Sequence, residues 1–365
     1  MINPQKSLWL RAEHKPREAR AAVVPTDAGT LVDAGFDVVI EQSTQRAFAT
    51  EEYVAAGCRH AAEGAWQGAP PSAVIIGLKE LDVALGPFRH HHVHFAHAFK
   101  GQQGWRTVLR AFEAGGGRLS DLEFLVDETG RRVAAFGYRA GYVGAALGLL
   151  ALAAQRSGVV PVLDKLEPWR DARSLLAEVT AAVASMETRP RMLIIGARGR
   201  SGKGADAMAR EAGAEITAWD VDETARGGPF DAIREHDLLV NCVYLDNPVA
   251  PFTTPAHLGA SMRRLGVIVD VSCDPYGDFN PLPLYDRATT MDEPVIRLSS
   301  DAPPIDLIAI DHLPSLLPRE SSEEFSASLL PHLLALGSGG SKVWERADAV
   351  FEKRLHAALQ AEDSP

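Results

Sequence analysis

Lys79 and His97 each close an apolar stretch in the N-terminal half of the chain, Lys79 after Ile76-Gly77-Leu78 and His97 after Phe95-Ala96. A histidine exchanges protons near neutral pH unaided, and a lysine does so once it is desolvated or set beside other cations. Taken singly, each also suits a plainer role, as a solvated strand-end lysine and a hydrogen-bonded core histidine. As a pair at the ends of neighbouring buried strands they suit general acid–base chemistry, because ligands of open parallel sheets gather beyond the carboxyl ends of the strands.

Arg20, Arg131 and Arg132 are candidates for binding substrate carboxylates, since a guanidinium grips a carboxylate with two parallel hydrogen bonds. Glu18 and Glu123 are candidates to pair with these cations and orient them; they also read as solvated carboxylates. The run His90-His91-His92, with His94 and His97, raises the question of a metal. No cysteine or HExxH spacing accompanies it, and successive strand residues face opposite ways, so a solvated loop and no metal is the expectation.

A second constellation lies further on. Residues 191–195 form an apolar run that ends in Gly196-Ala197-Arg198-Gly199-Arg200-Ser201-Gly202, and an alanine-rich segment at 205–211 reads as a helix. A helix that starts on such a turn offers backbone N–H groups to a phosphate. The glycines Gly196, Gly199 and Gly202 are spaced GxxGxxG rather than GxGxxG, which also suits an ordinary tight strand–helix turn. Residues 215–219 then form a second strand ending on Asp220, about 20 positions past the turn, where an adenine ribose would be held. A carboxylate there repels a 2′-phosphate, so NAD is expected over NADP, with Arg226 close enough to argue the other way.

The elements that must position these groups alternate as strand and helix. Strands are expected at 8–10, 36–40, 73–77, 93–96, 119–125 and 132–136, and helices at 26–34 (capped by Thr26), 51–56 and 102–114. Residues 137–154 are rich in small side chains and read as a tightly packed helix crossing between domains. A loop at 157–169 and a helix at 171–186 follow. Strands are expected at 238–241, 267–271 and 307–310, with a proline-rich tract at 280–304 and closing helices at 321–336 and 341–359. This is an α/β pattern with parallel sheets. It divides into a substrate domain, 1–137 completed by 321–365, and a nucleotide-binding domain, 138–320.

The composition sets limits. A chain of 365 residues, 46% hydrophobic and 23% charged, has the make-up of a soluble globular protein with room for two cores. A formal net charge of −11 argues against nucleic acid, and makes an anionic substrate depend on arginines gathered locally. Cys58, Cys242 and Cys273 are three scattered cysteines without metal-ligand spacing, as expected in a reducing compartment. No signal peptide is apparent, and the longest apolar run, 140–154, is too short to span a bilayer. A cytoplasmic protein without membrane partners is expected.

Over nearly its whole length the sequence resembles the fungal-type saccharopine dehydrogenases (NAD+, L-lysine-forming). The matching segments are Leu10-Arg11-Ala12-Glu13, Glu18-Ala19-Arg20-Ala21-Ala22, Ile75-Ile76-Gly77-Leu78-Lys79-Glu80 and Phe95-Ala96-His97. They continue with Asp121-Leu122-Glu123-Phe124-Leu125, residues 130–137, Arg226-Gly227-Gly228-Pro229-Phe230 and residues 310–320. The resemblance implies a monomer of two Rossmann-like domains with the active site in the cleft between them. It implies oxidation of saccharopine by NAD+ and water to L-lysine, 2-oxoglutarate and NADH. The family's catalytic lysine and histidine fall on Lys79 and His97, and its substrate arginine on Arg20. Its nucleotide contacts fall on Gly199, Arg200, Asp220, Thr224, Tyr244, Val271, Ile310, Asp311, His312 and Leu313. On that mechanism Lys79, held neutral by nearby cations, deprotonates the secondary amine, and His97 serves the addition of water. Ser201 stands where a cysteine could pair with the one at Cys242, so that disulfide cannot form here. An alanine dehydrogenase-like deaminase and a non-catalytic NAD-binding regulator are the alternatives.

Overall fold

Short apolar runs buried on both faces, such as residues 74–76 and 238–241, become inner strands of two separate sheets. Strands at 59–61, 215–219 and 296–299 are exposed or half-buried. The computed structural model describes residues 6–245, 247–259, 262–338 and 341–360. The chain divides into two units, Met1–Ala135 with Ser321–Pro365, and Phe136–Glu320.

In the first unit the elements run β1 (Ser7–Leu10), α1 (Pro25–Asp33), β2 (Asp37–Glu41), α2 (Thr50–Ala55), β3 (Arg59–Ala61), β4 (Val74–Ile76), β5 (His91–His94), α3 (Trp105–Gly115) and β6 (Arg118–Asp121). All six strands are parallel, in the order β3-β2-β1-β4-β5-β6. The chain therefore builds outward from β1 to β3, returns, and builds the other way from β4. The direction reverses between β1 and β4, which is where an open α/β sheet forms its ligand crevice.

The second unit repeats the plan. It holds α4 (Gly137–Arg156), α5 (Ala172–Ala184), β7 (Arg191–Ile195), α6 (Arg200–Glu211), β8 (Glu215–Trp219), α7 (Val221–Thr224), α8 (Asp231–Glu235), β9 (Leu238–Asn241), α9 (Pro255–Leu258), β10 (Val267–Asp270), β11 (Ile296–Ser299) and β12 (Ile305–Ile308). The strand order is β11-β12-β10-β9-β7-β8, with β11 antiparallel to β12, and the reversal falls between β7 and β9. α10 (Pro318–Ser338) and α11 (Lys342–Gln360) follow; from Ser321 on they belong to the first unit, where Phe351 of α11 joins the core around Phe88 and Phe112.

The small residues of α4 have a direct cause. A Cβ on Gly141 would lie 1.7 Å from the carbonyl oxygen of Ser201, and one on Gly204 would lie 1.9 Å from that of Tyr138. The backbones of α4 and α6 touch, so α4 is a core helix of the second unit rather than a crossing element.

Four local expectations need correction. The cap of α1 is Val24, not Thr26, because Pro25 supplies the fixed φ of the first helical position. The histidine run is not a solvated loop: residues 91–94 are β5, and His90, His92 and His94 are at most 4% exposed. Residues 132–136 are not a strand. They leave a turn in which the Asp127 carboxylate accepts the N–H groups of Thr129 and Arg131, and only Val126 and Arg132 form a bridge. Within the proline-rich tract, residues 296–299 pair as the antiparallel edge strand β11, where prolines on either side do no harm to the ladder.

Candidate active site

In the first unit the switch point gathers charge. β1 runs out into Arg11-Ala12-Glu13 and β4 into Gly77-Leu78-Lys79, side by side. The Glu13 carboxylate accepts the N–H of Leu78 at 2.6 Å and of Lys79 at 2.9 Å. A little further along, Arg20 grips Glu18 with Nε at 2.7 Å and Nη2 at 2.6 Å. The Lys79 Nζ lies 3.8 Å from the same Glu18 carboxylate, so its ion-pair neighbour is an anion, where cations holding the amine neutral were expected. Burial alone would push the Glu18 carboxyl up, but the hydrogen bonds and charge of Arg20, then the charge of Lys79, outweigh it and hold Glu18 below its ordinary value. Glu18 and Arg20 are buried, while Lys79 keeps 22% of its side chain exposed. A buried carboxylate thus carries a fixed guanidinium on one side and an accessible amine on the other.

His97 follows β5 and is exposed, with φ of +52°, a left-handed conformation that costs a non-glycine residue energy. The loop is held from below. Asp121, the last residue of β6, accepts the N–H of Ala96 at 3.3 Å and that of Glu123 at 2.9 Å. Burial pushes the Asp121 carboxyl up to about 6, against the pull of those hydrogen bonds and of His97. His97 also helps to lower Glu80, where burial is outweighed chiefly by the ion pair with Lys15. A cavity of about 180 Å³ lies here, with His94, His97, Glu80, Gln102 and Trp105 in its wall.

In the second unit the turn between β7 and α6 is tight. Gly196 has φ of +85°, and a Cβ there would lie 2.9 Å from the Val243 side chain. A Cβ on Gly202 would strike the Gly196 carbonyl oxygen at 2.1 Å, so only glycine lets α6 start this close to the strand. Gly199 differs: a Cβ there would meet only the Gly196 carbonyl oxygen, at 3.3 Å, which leaves open space against the first turn of a 12-residue helix. Asp220 follows β8 directly and accepts the N–H of Arg198 at 2.8 Å and of Val221 at 3.0 Å, fastening the turn to the neighbouring strand. This arrangement fits a dinucleotide, with N–H groups for the phosphates and a strand-end carboxylate for a ribose.

The N-terminal and C-terminal domain models of the alanine dehydrogenase/PNT family match residues 9–143 and 230–360. The sequence is 46% identical to a saccharopine dehydrogenase [NAD(+), L-lysine-forming] of Schizosaccharomyces pombe, covering 96% of this chain and 98% of the relative. It is 45% identical to the protein of that name from Yarrowia lipolytica, covering 97% and 99%. The chain belongs to the saccharopine dehydrogenase family. Among solved structures an L-alanine dehydrogenase shares the fold, with a TM-score of 0.67 at 21% identity over 95% of this chain and 94% of the other. A transhydrogenase from Sinorhizobium meliloti does so with a TM-score of 0.66 at 14% identity, covering 94% and 97%.

The geometry sorts the residues singled out from sequence. Glu18, Arg20 and Lys79 meet in one group. Glu123 forms an ion pair with Lys100 at 2.6 Å. Arg131 and Arg132 are exposed on the turn that follows Asp127. Thr224 spends its hydroxyl on the Asp220 carbonyl at 2.8 Å, inside α7. Tyr244 is 66% exposed, and Arg226 lies over the ring of Phe230. Arg200 is the first residue of α6. The Val271 N–H donates to Asn241 at 2.9 Å. The side chains of Ile310 and Leu313 are buried, so these two can meet a ligand only through backbone; Asp311 is exposed and His312 half-buried between them. Among the described residues no group of three His, Cys, Asp or Glu side chains has metal-binding geometry.

Sequence reasoning missed Arg11, Glu13, Asp121 and Asp270. Asp270, at the end of β10, accepts from Asn241 at 2.9 Å, Ser272 at 2.6 Å and Tyr285 at 2.7 Å, and so braces the ends of β9 and β10. For three of them a signal was present. Arg11, Glu13 and Asp270 stand at or just past the end of an apolar run, the same cue that singles out Lys79. Asp121 follows Leu119-Ser120 and has no such cue.

Proposed function

We propose that this chain oxidises saccharopine with NAD+ and water to L-lysine, 2-oxoglutarate and NADH, and runs the reverse condensation. The observation that carries the reading is the Glu18–Arg20–Lys79 group at the β1–β4 switch point. It couples an accessible amine to a buried, pre-oriented guanidinium, as a tricarboxylate substrate requires.

On this reading the first unit supplies acid–base and substrate groups, and the second holds NAD. The turn at Gly196, Gly199 and Gly202 and the N–H groups of α6 would hold the phosphates, with Asp220 at the adenine ribose. Arg200, Thr224, Tyr244, Val271 and residues 310–313 would line the remainder. Bound NAD+ supplies the hydride acceptor. Lys79 takes the proton from the substrate's secondary amine through Nζ, and Glu18 stabilises the ammonium that forms. Arg20 presents its charge to a substrate carboxylate while Glu18 fixes its orientation, and Arg131 and Arg132 offer two further cations. His97 then deprotonates the water that adds to the imine carbon. It returns that proton to nitrogen and takes up the hydroxyl proton as the carbinolamine collapses to the 2-oxo acid and the C–N bond breaks.

No described helix is long and apolar enough to cross a membrane. A cytoplasmic monomer completes the proposal, and sedimentation of the purified chain tests the oligomeric state.

The deciding experiment follows NADH absorbance with L-lysine and 2-oxoglutarate, with pyruvate plus ammonia as control. Oxidation only in the first mixture supports the reading. Oxidation only in the second identifies a deaminase, and NADH binding without turnover in either identifies a regulator.

A further inference from the structure

We propose that Glu13, braced by Arg11, is a positioning residue that sets where Lys79 stands. The inference rests on Lys79 being the proton acceptor. Glu13 takes the N–H of Leu78 on one carboxylate oxygen and the N–H of Lys79 on the other, at 2.6 and 2.9 Å. Arg11 completes the grip. Its Nη2 donates to the Lys79 carbonyl, and its Nη1 donates to Glu13 at 3.3 Å and to the Ala12 carbonyl at 3.1 Å. Both polar groups of the Lys79 backbone are therefore held by this pair, just where the chain has left the β4 ladder.

Gly77 is part of the device. A Cβ there would lie 2.3 Å from Arg11 Nε, so the guanidinium reaches Lys79 by passing over a residue without a side chain. The pair is buried, with 1% and 7% of the two side chains exposed. Burying an ion pair seldom stabilises a fold relative to apolar residues of similar size. A positioning role accounts for its place. With the Lys79 backbone fixed, the reach of Nζ toward Glu18 depends on side-chain torsions alone, and a misplacement of about 1 Å can cost about 10²-fold in rate.

A double-mutant cycle on kcat for L-lysine, 2-oxoglutarate and NADH tests this. Glu13→Gln turns one acceptor into a donor that faces an N–H. It should lower kcat roughly 10- to 100-fold and leave the KM for NADH unchanged. In the Lys79→Met background the same substitution should change kcat by less than about twofold, because there is no longer an amine to place. An equal loss in both backgrounds marks a merely structural glutamate and overturns the proposal, as does an unchanged kcat in Glu13→Gln alone. A full rate in Lys79→Met alone removes Lys79 from the chemistry. It sinks the earlier reading together with this one, and it is read from that single variant. If Glu13→Gln does not fold, as judged by its melting transition, Gly77→Ala carries the same cycle. Its methyl displaces the tip of a flexible arginine, and its kcat loss should again vanish when Lys79 is Met.

Discussion

Asp121 accepts the backbone N–H of Ala96, the residue before His97, and so ties the end of β6 to the loop that carries the histidine. Its carboxyl is pushed by burial up to about 6, above the ordinary 3.8. The sign follows from that elevation. The protonated form favours the fold, so this contribution is complete below 3.8 and is lost as pH rises through about 6. Asp121→Asn keeps one acceptor and cannot titrate. The unmutated protein's pH–rate profile should show an inflection near 6 that this variant loses. An inflection that survives the substitution would belong to another group.

The Glu18–Arg20 pair makes a second prediction. Arg20→Ala leaves a buried carboxylate with only Lys79 and the backbone N–H of residue 20 to offset its burial. Breaking such a pair costs about 3–5 kcal/mol of stability, and loss of the substrate contact costs about 2–5 kcal/mol in binding. The KM for 2-oxoglutarate should rise while NADH affinity holds. Glu18→Gln added to Arg20→Ala should restore stability but not the KM. An unchanged KM in Arg20→Ala would make the pair purely structural.

Much of this was legible because apolar runs of strand length mark parallel strands, and charged residues at their ends mark what the sheet presents. Lys79, Asp220 and the Gly196–Gly202 turn come out of that rule directly. The histidines at 90–94 did not. Their polarity reads as solvent, while β5 is central enough for its alternate residues to enter an aromatic core. What Glu13 and Asp121 hold was also hidden, because their partners include backbone N–H groups that have no signature in sequence. The turn at 127–132 went unread for the reverse reason: Val133, Ala134 and Ala135 look like strand, but Asp127 draws the N–H groups before them into a turn.

The ribose role proposed for Asp220 makes a prediction about nucleotide preference. NADH should be used well ahead of NADPH, and Asp220→Ala should narrow the ratio of their kcat/KM values. The same change removes the cap of α7 and the anchor of Arg198, so a loss of about 0.5–2 kcal/mol in stability should accompany it. Arg226, drawn over Phe230 in this structure, is the cation nearest in sequence that could compensate. Equal use of both nucleotides by the unmutated protein would refute the assignment of Asp220.

His92 predicts acid sensitivity. It is fully buried, with ring centroids of Trp66, Phe88 and Phe112 at 5.1, 5.4 and 5.4 Å, and neither of its ring nitrogens has a hydrogen-bond partner. Burial first, then the charges of His90, Arg11 and His91, hold it down to about 2, and burial holds His94 well below its ordinary value too. The unfolded chain takes up these protons below about 6.5 and the folded chain does not. Stability is therefore complete above that pH and falls as pH drops from 6.5 toward 2, by about 1.4 kcal/mol per pH unit for His92, with His94 acting in the same direction. Urea unfolding at a series of pH values should show this slope, and His92→Leu should remove one histidine's share. A slope unchanged in His92→Leu would mean that the ring is protonated in the fold.

Lys79 and His97 carry the prediction on which the mechanism stands. The reaction needs proton transfers at two different atoms, the substrate nitrogen and the attacking water. Lys79 stands beside Glu18 with part of its side chain open, and His97 is exposed on the loop that Asp121 holds. Water can relay a proton in place of either, so single substitutions should slow turnover without abolishing it. General acid–base catalysis is typically worth about 10²–10⁴-fold, and Lys79→Met and His97→Gln should each fall at or below that range. The double variant should be slower than either, and at least one limb of the pH–rate profile should disappear. NADH affinity should be nearly unchanged in all three, because both residues belong to the first unit and the glycine turn to the second. If Lys79→Met turns over at the unmutated rate with the same pH profile, the amine is a solvated strand end and the proton leaves the substrate by another path.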